Sequence, residues 1–296
     1  MYIEGVYGRL IVQVVHRGED LPHLLDRLIP SLTRSTTSEI ELWALDYSSG
    51  AHRELPTSFD RVTVHWFGQI RDGDCGFGEN HNFLFQARGT NDDFVILNPD
   101  CILNNGAIDR LVATKLLSAR AAIVEGRQWP FEHPKEVDPL TNETPWASGA
   151  FALIDGRFYA ECGGMDEGYF MYLEDVDLSW RAWLSGHSVV YESRAVVAHF
   201  SGGQFYRPDV ISMEEHYGLR NFLRLAYKFF GEEGERRAIN LLEENGGVRG
   251  AGQAIADYKA LLKERVTPIA GNVSHPRVKI LGVNRFHQLR LSLIPE

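Results

Sequence analysis

RLIVQVVHRGEDLPHLLDRLIPSLTRSTTSEIELWALD, residues 9–46, contains one full period of an alternating pattern. Residues 9–15 are a compact, β-branched apolar run, and HRGED after them is a polar turn. A helical pattern of apolar residues runs from Leu21 to Leu32, and IELWALD (40–46) is a second apolar run that ends on Asp46 before the loop YSSG. A short continuous apolar run bounded by turn residues reads as a strand buried on both faces, and strand, helix, strand in succession makes the two strands parallel with the helix over the sheet. The period recurs: VTVHWF (62–67) reads as a third strand, GENHNFLFQA (78–87) as a helix, DFVILN (93–98) as a fourth strand and residues 105–118 as a helix. The expected fold is α/β, a mostly parallel central sheet flanked by helices. Ligands of such sheets bind beyond the carboxyl ends of the strands.

Polar residues collect at those ends. His16 and Arg17 follow the first strand, Asp46, Tyr47 and Ser48 the second, and Asn98, Pro99 and Asp100 the fourth. RAAIVEG (120–126) reads as a strand that leads into a Pro- and Glu-rich loop, 127–145, longer than an ordinary connection and so functional or mobile. PWASGAFALI (145–154) returns to the sheet, and SVVYES and AVVAHF, within 188–200, read as a last pair of strands. Beyond Gly202 the texture becomes helical, which sets a boundary near 205 between an α/β unit (1–205) and a C-terminal helical extension (206–296). The end of that extension is basic, with Arg277, Lys279, Arg285 and Arg290 against Glu296. Such a tail packs on the body as a strand or arm, or meets a partner or a membrane surface.

Composition narrows the function. With 296 residues, 44% hydrophobic and 11% aromatic, the chain can bury an enzyme-sized core. MYIEGVYGRLIV has no basic region followed by a long apolar segment, so a soluble protein is expected. Cys75, Cys101 and Cys162 are an odd number without metal-ligand spacing, which points to neither a disulfide framework nor a zinc site and fits a reducing cytoplasm. The formal charge of −10 argues against nucleic acid as a partner. An acidic protein that binds a phosphorylated ligand needs a local basic cluster, a helix N-terminus or a metal cation.

The chemistry concentrates in GYFMYLEDVDLSWRAWLSG (168–186). Glu174, Asp175 and Asp177 begin an amphipathic helix whose apolar stripe is Val176, Trp180, Trp183 and Leu184, and Asp177 can pair with Arg181 four residues on. Acids in a first turn complement the helix dipole, which accounts for Asp177. Glu174 and Asp175 follow Tyr169, Phe170, Met171 and Tyr172, whose bulk desolvates a carboxylate and raises its pKa while the helix N-terminus opposes that. Elsewhere, ILNPD (96–100) sets Asp100 on a turn beside Asn98, which serves equally as an ordinary turn. Asp46 can accept from a nucleobase or ribose, or cap its own turn, and His199 at a strand end can pack, hydrogen-bond or ligate.

Five stretches stand in a familiar order: GFGENHN (76–82), VILNPDCIL (95–103), WASGAFALI (146–154), GGMDEGYFMYLEDVDLSWRAWLSGHSVVYES (163–193) and AVVAHFSGG (195–203), with a weaker echo in GLRNFLRLAYKFF (218–230). Through them the chain resembles the family 2 glycosyltransferases of Rossmann-like GT-A fold, and within these the bacterial rhamnosyltransferase-like group. The resemblance implies that Asp46 binds base and ribose, and that Asp100 is the last position of the metal motif, here Asn98-Pro99-Asp100. It implies that His199 is a further metal ligand, that Asp175 is the general base with Glu174 beside it, and that Trp146 and Gly149 lie where acceptor and donor sugar meet. His16, Arg17, Tyr47, Asn82 and Asn98 fall to the nucleotide pocket and His81 to a phosphate or sugar contact, while Arg71 could make such a contact but is favoured as a solvated surface residue. Val15-His16-Arg17 and Tyr47 depart from the family's usual residues and leave base preference open.

A divalent cation, Mg²⁺ or Mn²⁺, is implied, the imidazole suiting Mn²⁺ better. The expected activity is inverting transfer from a nucleoside-diphosphate sugar, dTDP-L-rhamnose, to a saccharide or lipid-linked acceptor during bacterial surface polysaccharide synthesis. The expected location is the cytoplasm or the inner face of the membrane. Two readings compete. A nucleotidyltransferase would need a Gly/Arg/Lys-rich signature near the first strand, where only Arg9 and Arg17 stand, and a non-catalytic sugar-nucleotide or glycan-binding module would be indifferent to loss of Asp175.

Overall fold

The computed structural model describes residues 8–48, 54–71, 73–130, 132–133, 135–199, 213–243, 249–262, 266–269 and 273–280. The boundary near 205 and the tail residues Arg285, Arg290 and Glu296 lie outside them.

Among the described residues nine strands form one sheet: β1 (Arg9–His16), β2 (Glu39–Asp46), β3 (Ser58–Phe59), β4 (Val62–Phe67), β5 (Phe94–Leu97), β6 (Cys101–Leu103), β7 (Ala121–Pro130), β8 (Phe151–Ile154) and β9 (Ser188–His199). Their order is β3-β4-β2-β1-β5-β8-β7-β9-β6. The stretch β4-β2-β1-β5 is parallel, as the alternating sequence requires, and β1 pairs with β2 from Arg9 with Glu39 to His16 with Asp46, so that the two strands end together. β8 runs antiparallel between β5 and β7, β9 is parallel to β7, and β6 is antiparallel to β9. The carboxyl ends of β1, β2, β5, β7 and β9 and the amino ends of β6 and β8 therefore share one edge of the sheet.

β1 is buried from Leu10 to His16 because both faces of the sheet are covered. Leu10, Val12 and Val14 pack with Leu24 and Leu28 of an irregular helical segment and with Ile108 and Leu111 of α4 (Ala107–Leu117). That segment consists of α1 (Leu21–His23), a π turn over Leu24–Leu28 and α2 (Ile29–Ser35); Pro30 has no N–H to give, and the Ile29 N–H reaches back to Leu24 instead. Ile11, Phe94 and Ile96 point to the other face, which is covered by α3 (Phe77–Ala87), α5 (Gly156–Glu161) and α6 (Glu174–Leu184).

Two expectations need correction. PWASGAFALI is strand only over Phe151–Ile154, because residues 146–150 turn at the sheet edge, where the Gly149 N–H is taken by a side chain. SVVYES and AVVAHF are not two strands but one, β9, interrupted where Gly126 pairs with Glu192 and Arg127 with Val196, so that residues 193–195 bulge. The first residues of the expected loop 127–145 continue β7 as far as Pro130.

The extension packs on the sheet's α6 side. α7 (Met213–Glu243) is interrupted at Gly231 (φ 63°, ψ −153°) and followed by α8 (Ala251–Asp257). Its Leu219, Phe222, Leu223, Ala226 and Phe229 join the core that holds Trp180 of α6. Buried ions lock the same contact. The expected Asp177–Arg181 pair is present at 2.6 Å, Lys228 reaches both Asp177 (2.5 Å) and Asp166 (2.6 Å), and Arg224 reaches Asp166 at 3.0 Å. Burial alone would raise the Asp166 carboxyl, but the Lys228 and Arg224 charges outweigh it and hold the pKa at about 2, below the ordinary 3.8.

A carboxylate depressed on folding stabilises the folded state above its unfolded pKa, and this stability is lost as pH falls through the folded value. Asp166→Asn is expected to cost roughly 2 kcal/mol near pH 7, with the cost shrinking between about pH 4 and pH 2. Urea unfolding at a series of pH values checks both the size and the window.

Candidate active site

At one end of the shared edge lie the tips of β1 and β2. Asp46 is fully buried, and its Oδ1 accepts from the Ser48 N–H (2.8 Å) and Oγ–H (2.7 Å). Ser48 Oγ in turn accepts from the Gly18 N–H at 3.0 Å, so the β1 and β2 loops are tied through this carboxylate. A side chain at Gly18 would come within 3.4 Å of Asp46 Oδ2, which keeps that approach to the backbone open. His16 is buried with Nδ1 on its neighbour's carbonyl, Arg17 O, at 2.9 Å. Arg17 is exposed and lies 5.8 Å over the Tyr47 ring, while burial raises the Tyr47 phenol and the Arg17 charge partly offsets that. Asp46, His16, Arg17 and Tyr47 thus stand together at two adjacent strand ends.

At the other end Asp100, leaving the β5 turn, meets His199 at the tip of β9, with Nε2 3.2 Å from Asp100 Oδ1. His199 Nδ1 stands 2.7 Å from Gln128 Oε1 and Asn98 Nδ2 stands 3.4 Å from Nε2. With the amide oxygen of Gln128 taking the Nδ1 proton, Nε2 presents a lone pair toward a carboxylate oxygen. Two electron-rich atoms so close call for a cation or proton between them, and an N/O pair with an outer-shell amide fixing the tautomer suits Mn²⁺. The residues therefore fit the implied metal. Cys101 Sγ lies in the same cluster, but burial pushes its thiol well up and it donates to Ala150 O at 3.6 Å, so it stays a thiol.

Between these ends stand β8 and α6. The Asn98 N–H donates to Ala150 O (2.9 Å), and the adjacent Gly149 N–H donates to Asp175 Oδ2 (2.9 Å), which carries the carboxylate to the same edge. Asp175 Oδ1 accepts from the Val176 N–H at 2.8 Å. A side chain at Gly149 would press on Phe77 at 3.2 Å and sit 3.8 Å from Asp175 Cβ. Burial raises the pKa of both acids. Asp175 is partly relieved by the two N–H donors and the Lys135 charge, whereas Glu174 Oε2 has no hydrogen-bond partner among the described residues and Asp175 repels its charge further. Of the two, Glu174 is pushed up further, because it lacks the donors that Asp175 has. Sequence could not rank desolvation against the helix N-terminus; in the fold, desolvation wins.

Lys135, from the loop after β7, was not foreseen. It pairs with buried Glu125, donates to Trp146 O at 3.0 Å and lies 4.3 Å over the Trp146 ring, while Glu125 Oε1 accepts from the Ser148 N–H. Its charge faces Asp175, yet no ion pair joins the two among the described residues. Gln128 was missed as well, since its role depends on the pairing of β7 with β9.

Other expected residues are placed differently. His81 is fully buried, held 3.1 Å from Gln13 of β1, and burial drops its pKa to about 3, so it is a neutral ring with no exposed surface. Asn82 spends its amide on the 165–167 loop and Tyr159, with bonds of 2.6–3.0 Å, and has no capacity left for a nucleotide. Arg71 forms a two-bond surface pair with Glu79. Trp146 is 4% exposed and serves as a wall behind Lys135.

No family model matches the chain. An N-acetylglucosaminyl-diphospho-decaprenol L-rhamnosyltransferase of Mycobacterium tuberculosis is 32% identical over 90 residues, 30% of this chain, and the match spans only 29% of that relative's length. Rhamnosyltransferase WbbL of Escherichia coli is 25% identical over 57% of this chain and 73% of its own. Among solved structures, GalNAc-T7 with UDP, GalNAc and Mn²⁺ aligns over 85% of this chain and 55% of its own, with a TM-score of 0.59 at 16% identity. S. aureus TarS aligns over 87% and 50%, with a TM-score of 0.50 at 13% identity. The fold is the GT-A fold, and the resemblance to family 2-like glycosyltransferases read from the motifs is borne out, at low identity. No helix among the described residues is long and apolar enough to cross a membrane.

Gln128→Leu frees the His199 ring to turn and is expected to weaken Mn²⁺ binding roughly 10- to 100-fold. Titration followed by the electron paramagnetic resonance of unbound Mn²⁺ measures this directly; unchanged affinity would remove the amide from the site.

Proposed function

We propose that the protein is an inverting, divalent-cation-dependent glycosyltransferase that moves L-rhamnose from a nucleoside-diphosphate donor, dTDP-L-rhamnose, to a hydroxyl of a saccharide or lipid-linked saccharide. The observation that carries this reading is a half-buried Asp175 held by the Gly149 N–H on the sheet edge where Asp100 and His199 converge. The names of the two sequence relatives support the sugar, and the diphospho-decaprenol in one of them supports a lipid-linked acceptor. The catalytic work falls to residues 1–205, on the cytoplasmic side where nucleotide sugars are made, with the extension 206–296 bracing them.

Asp46 binds the nucleoside and Arg17 and Tyr47 form its rim. When bound by Asp100 and His199, the metal offsets the diphosphate's negative charge, which answers the problem set by a net charge of −10. Asp175 accepts the proton of the acceptor hydroxyl as that oxygen bonds to the anomeric carbon from the face opposite the diphosphate. The carbon–oxygen bond to the diphosphate breaks with its electron pair, the nucleoside diphosphate leaves, and the configuration inverts. Burial beside the base pushes the Glu174 carboxyl up and so disfavours a second negative charge in the pocket.

Asp175→Asn keeps the shape and removes the base. It is expected to lower kcat by about 10²–10⁴-fold, while the donor with Mn²⁺ still raises the melting temperature as it does for the wild type. Because burial raises the Asp175 pKa, the acid limb of wild-type kcat is expected at a pH above the ordinary carboxylate range, activity being lost as pH falls through it. A normal rate for the variant would sink the base assignment, and a panel of dTDP-, UDP- and GDP-sugars that gave no stabilisation would sink the donor class.

A further inference from the structure

The turn that delivers Glu174 and Asp175 is strained. Tyr172 (φ 71°) and Leu173 (φ 70°) are consecutive non-glycine residues in the left-handed region, where the side chain crowds the following carbonyl oxygen. Leu173 is also the N-cap of α6, so this strained pair fixes where the helix begins and which way its first carboxylates point. Strain of this kind persists only where the surroundings over-determine it, and it gathers at functional sites.

The surroundings here are one stripe of α7. Tyr217, Asn221, Arg224 and Lys228 are spaced four, three and four residues apart and so share a helix face. Tyr217 packs on Phe170 (5.1 Å between ring centres), Arg224 and Lys228 bind Asp166, and Asn221 lies between these contacts. Asn221 is fully buried, and its Nδ2 donates to two carbonyls of the turn, Met171 O and Tyr172 O, each at 2.8 Å. Two hydrogens thus satisfy two successive carbonyls that a left-handed turn points away from the helix ladder.

We infer that Asn221 is a positioning residue for the catalytic carboxylate, acting through the left-handed Tyr172–Leu173 turn to keep Asp175 on the Gly149 N–H. The inference rests on the reading of Asp175 as the base, but its geometric half does not. Without the Asn221 donors, the two carbonyls lose their partners and the turn relaxes toward negative φ. The first turn of α6 then swings and the Asp175–Gly149 bond opens. Glycine at 172 relieves the crowding and makes the left-handed turn stable without the brace.

The test uses Asn221→Ala, Tyr172→Gly and their combination in the full chain, with amide hydrogen exchange, kcat and donor KM as readouts. Asn221→Ala is expected to speed exchange of the Gly149 amide at least tenfold and to lower kcat at least tenfold with donor KM within threefold of wild type. Adding Tyr172→Gly is expected to restore Gly149 protection and at least threefold of the lost kcat. Where Asn221→Ala fails to fold, the double variant decides, folding again if the brace acts through the turn. Unchanged exchange and kcat in Asn221→Ala, or a double variant no better than the single, would overturn the inference. So would an equal loss when Asn221→Ala is added to Asp175→Asn, since the effect must run through the carboxylate. Restored Gly149 protection without any glycosyl transfer in the wild type would leave the brace standing and count against the function alone.

Discussion

One hydrogen bond joins the two halves of the site: the Gly149 N–H to the Asp175 carboxylate. It ties the first turn of α6 to the turn before β8, and β8 lies beside β5, whose end carries Asn98 and Asp100. Because β8 is inserted antiparallel into the sheet, its amino end arrives at the edge where the parallel strands finish. A carboxylate from a distant helix is thereby brought to the same edge as one from a strand turn and an imidazole from the tip of β9. Gly149 itself is restricted in size, since a side chain there would press on Phe77 and crowd Asp175.

Charge in this edge is distributed by burial more than by count. Desolvation raises Glu174 and Asp175 alike, and the two are separated by what each accepts: two backbone N–H groups and a facing lysine charge for Asp175, and for Glu174 Oε2 no hydrogen bond among the described residues. Lys135 is itself drawn down by burial and held by Glu125, so the loop after β7 brings in a compensated cation rather than a bare one. A buried pair of this kind is a modest source of stability, because desolvation offsets much of its attraction. Its consequence here is local, fixing the loop against Ser148 and Trp146 and setting a positive charge toward Asp175.

The extension is no passenger. Its first helix completes the apolar core over Trp180 and supplies the cations for Asp166 and Asp177, so the loop 166–172 has the sheet-side elements on one flank and α7 on the other. Removing α7 would expose that core and leave two buried carboxylates without their Lys228 and Arg224 partners. Sequence texture alone suggests a separable helical part; the packing joins it to the turn that leads into Asp175.

The sequence alone determined the βαβ period, the end of β2 at Asp46, the paired acids at 174 and 175 and the Asp177–Arg181 contact, because each is written in spacing along one element. It also carried the motifs that resemble GT-A enzymes. It misread His81 and Asn82, which sit among the motif residues but turn inward to Gln13 and the 165–167 loop, and it split β9 where a bulge interrupts a single strand. Gln128 and Lys135 left no mark in the sequence, and Asn221 stood there only as part of the GLRNFLRLAYKFF stretch, since each acts on a partner distant in the chain. Only the tertiary structure decided which carboxyl of the pair is pushed up further, because that depends on how many donors and how much water reach each oxygen, and local spacing contains neither.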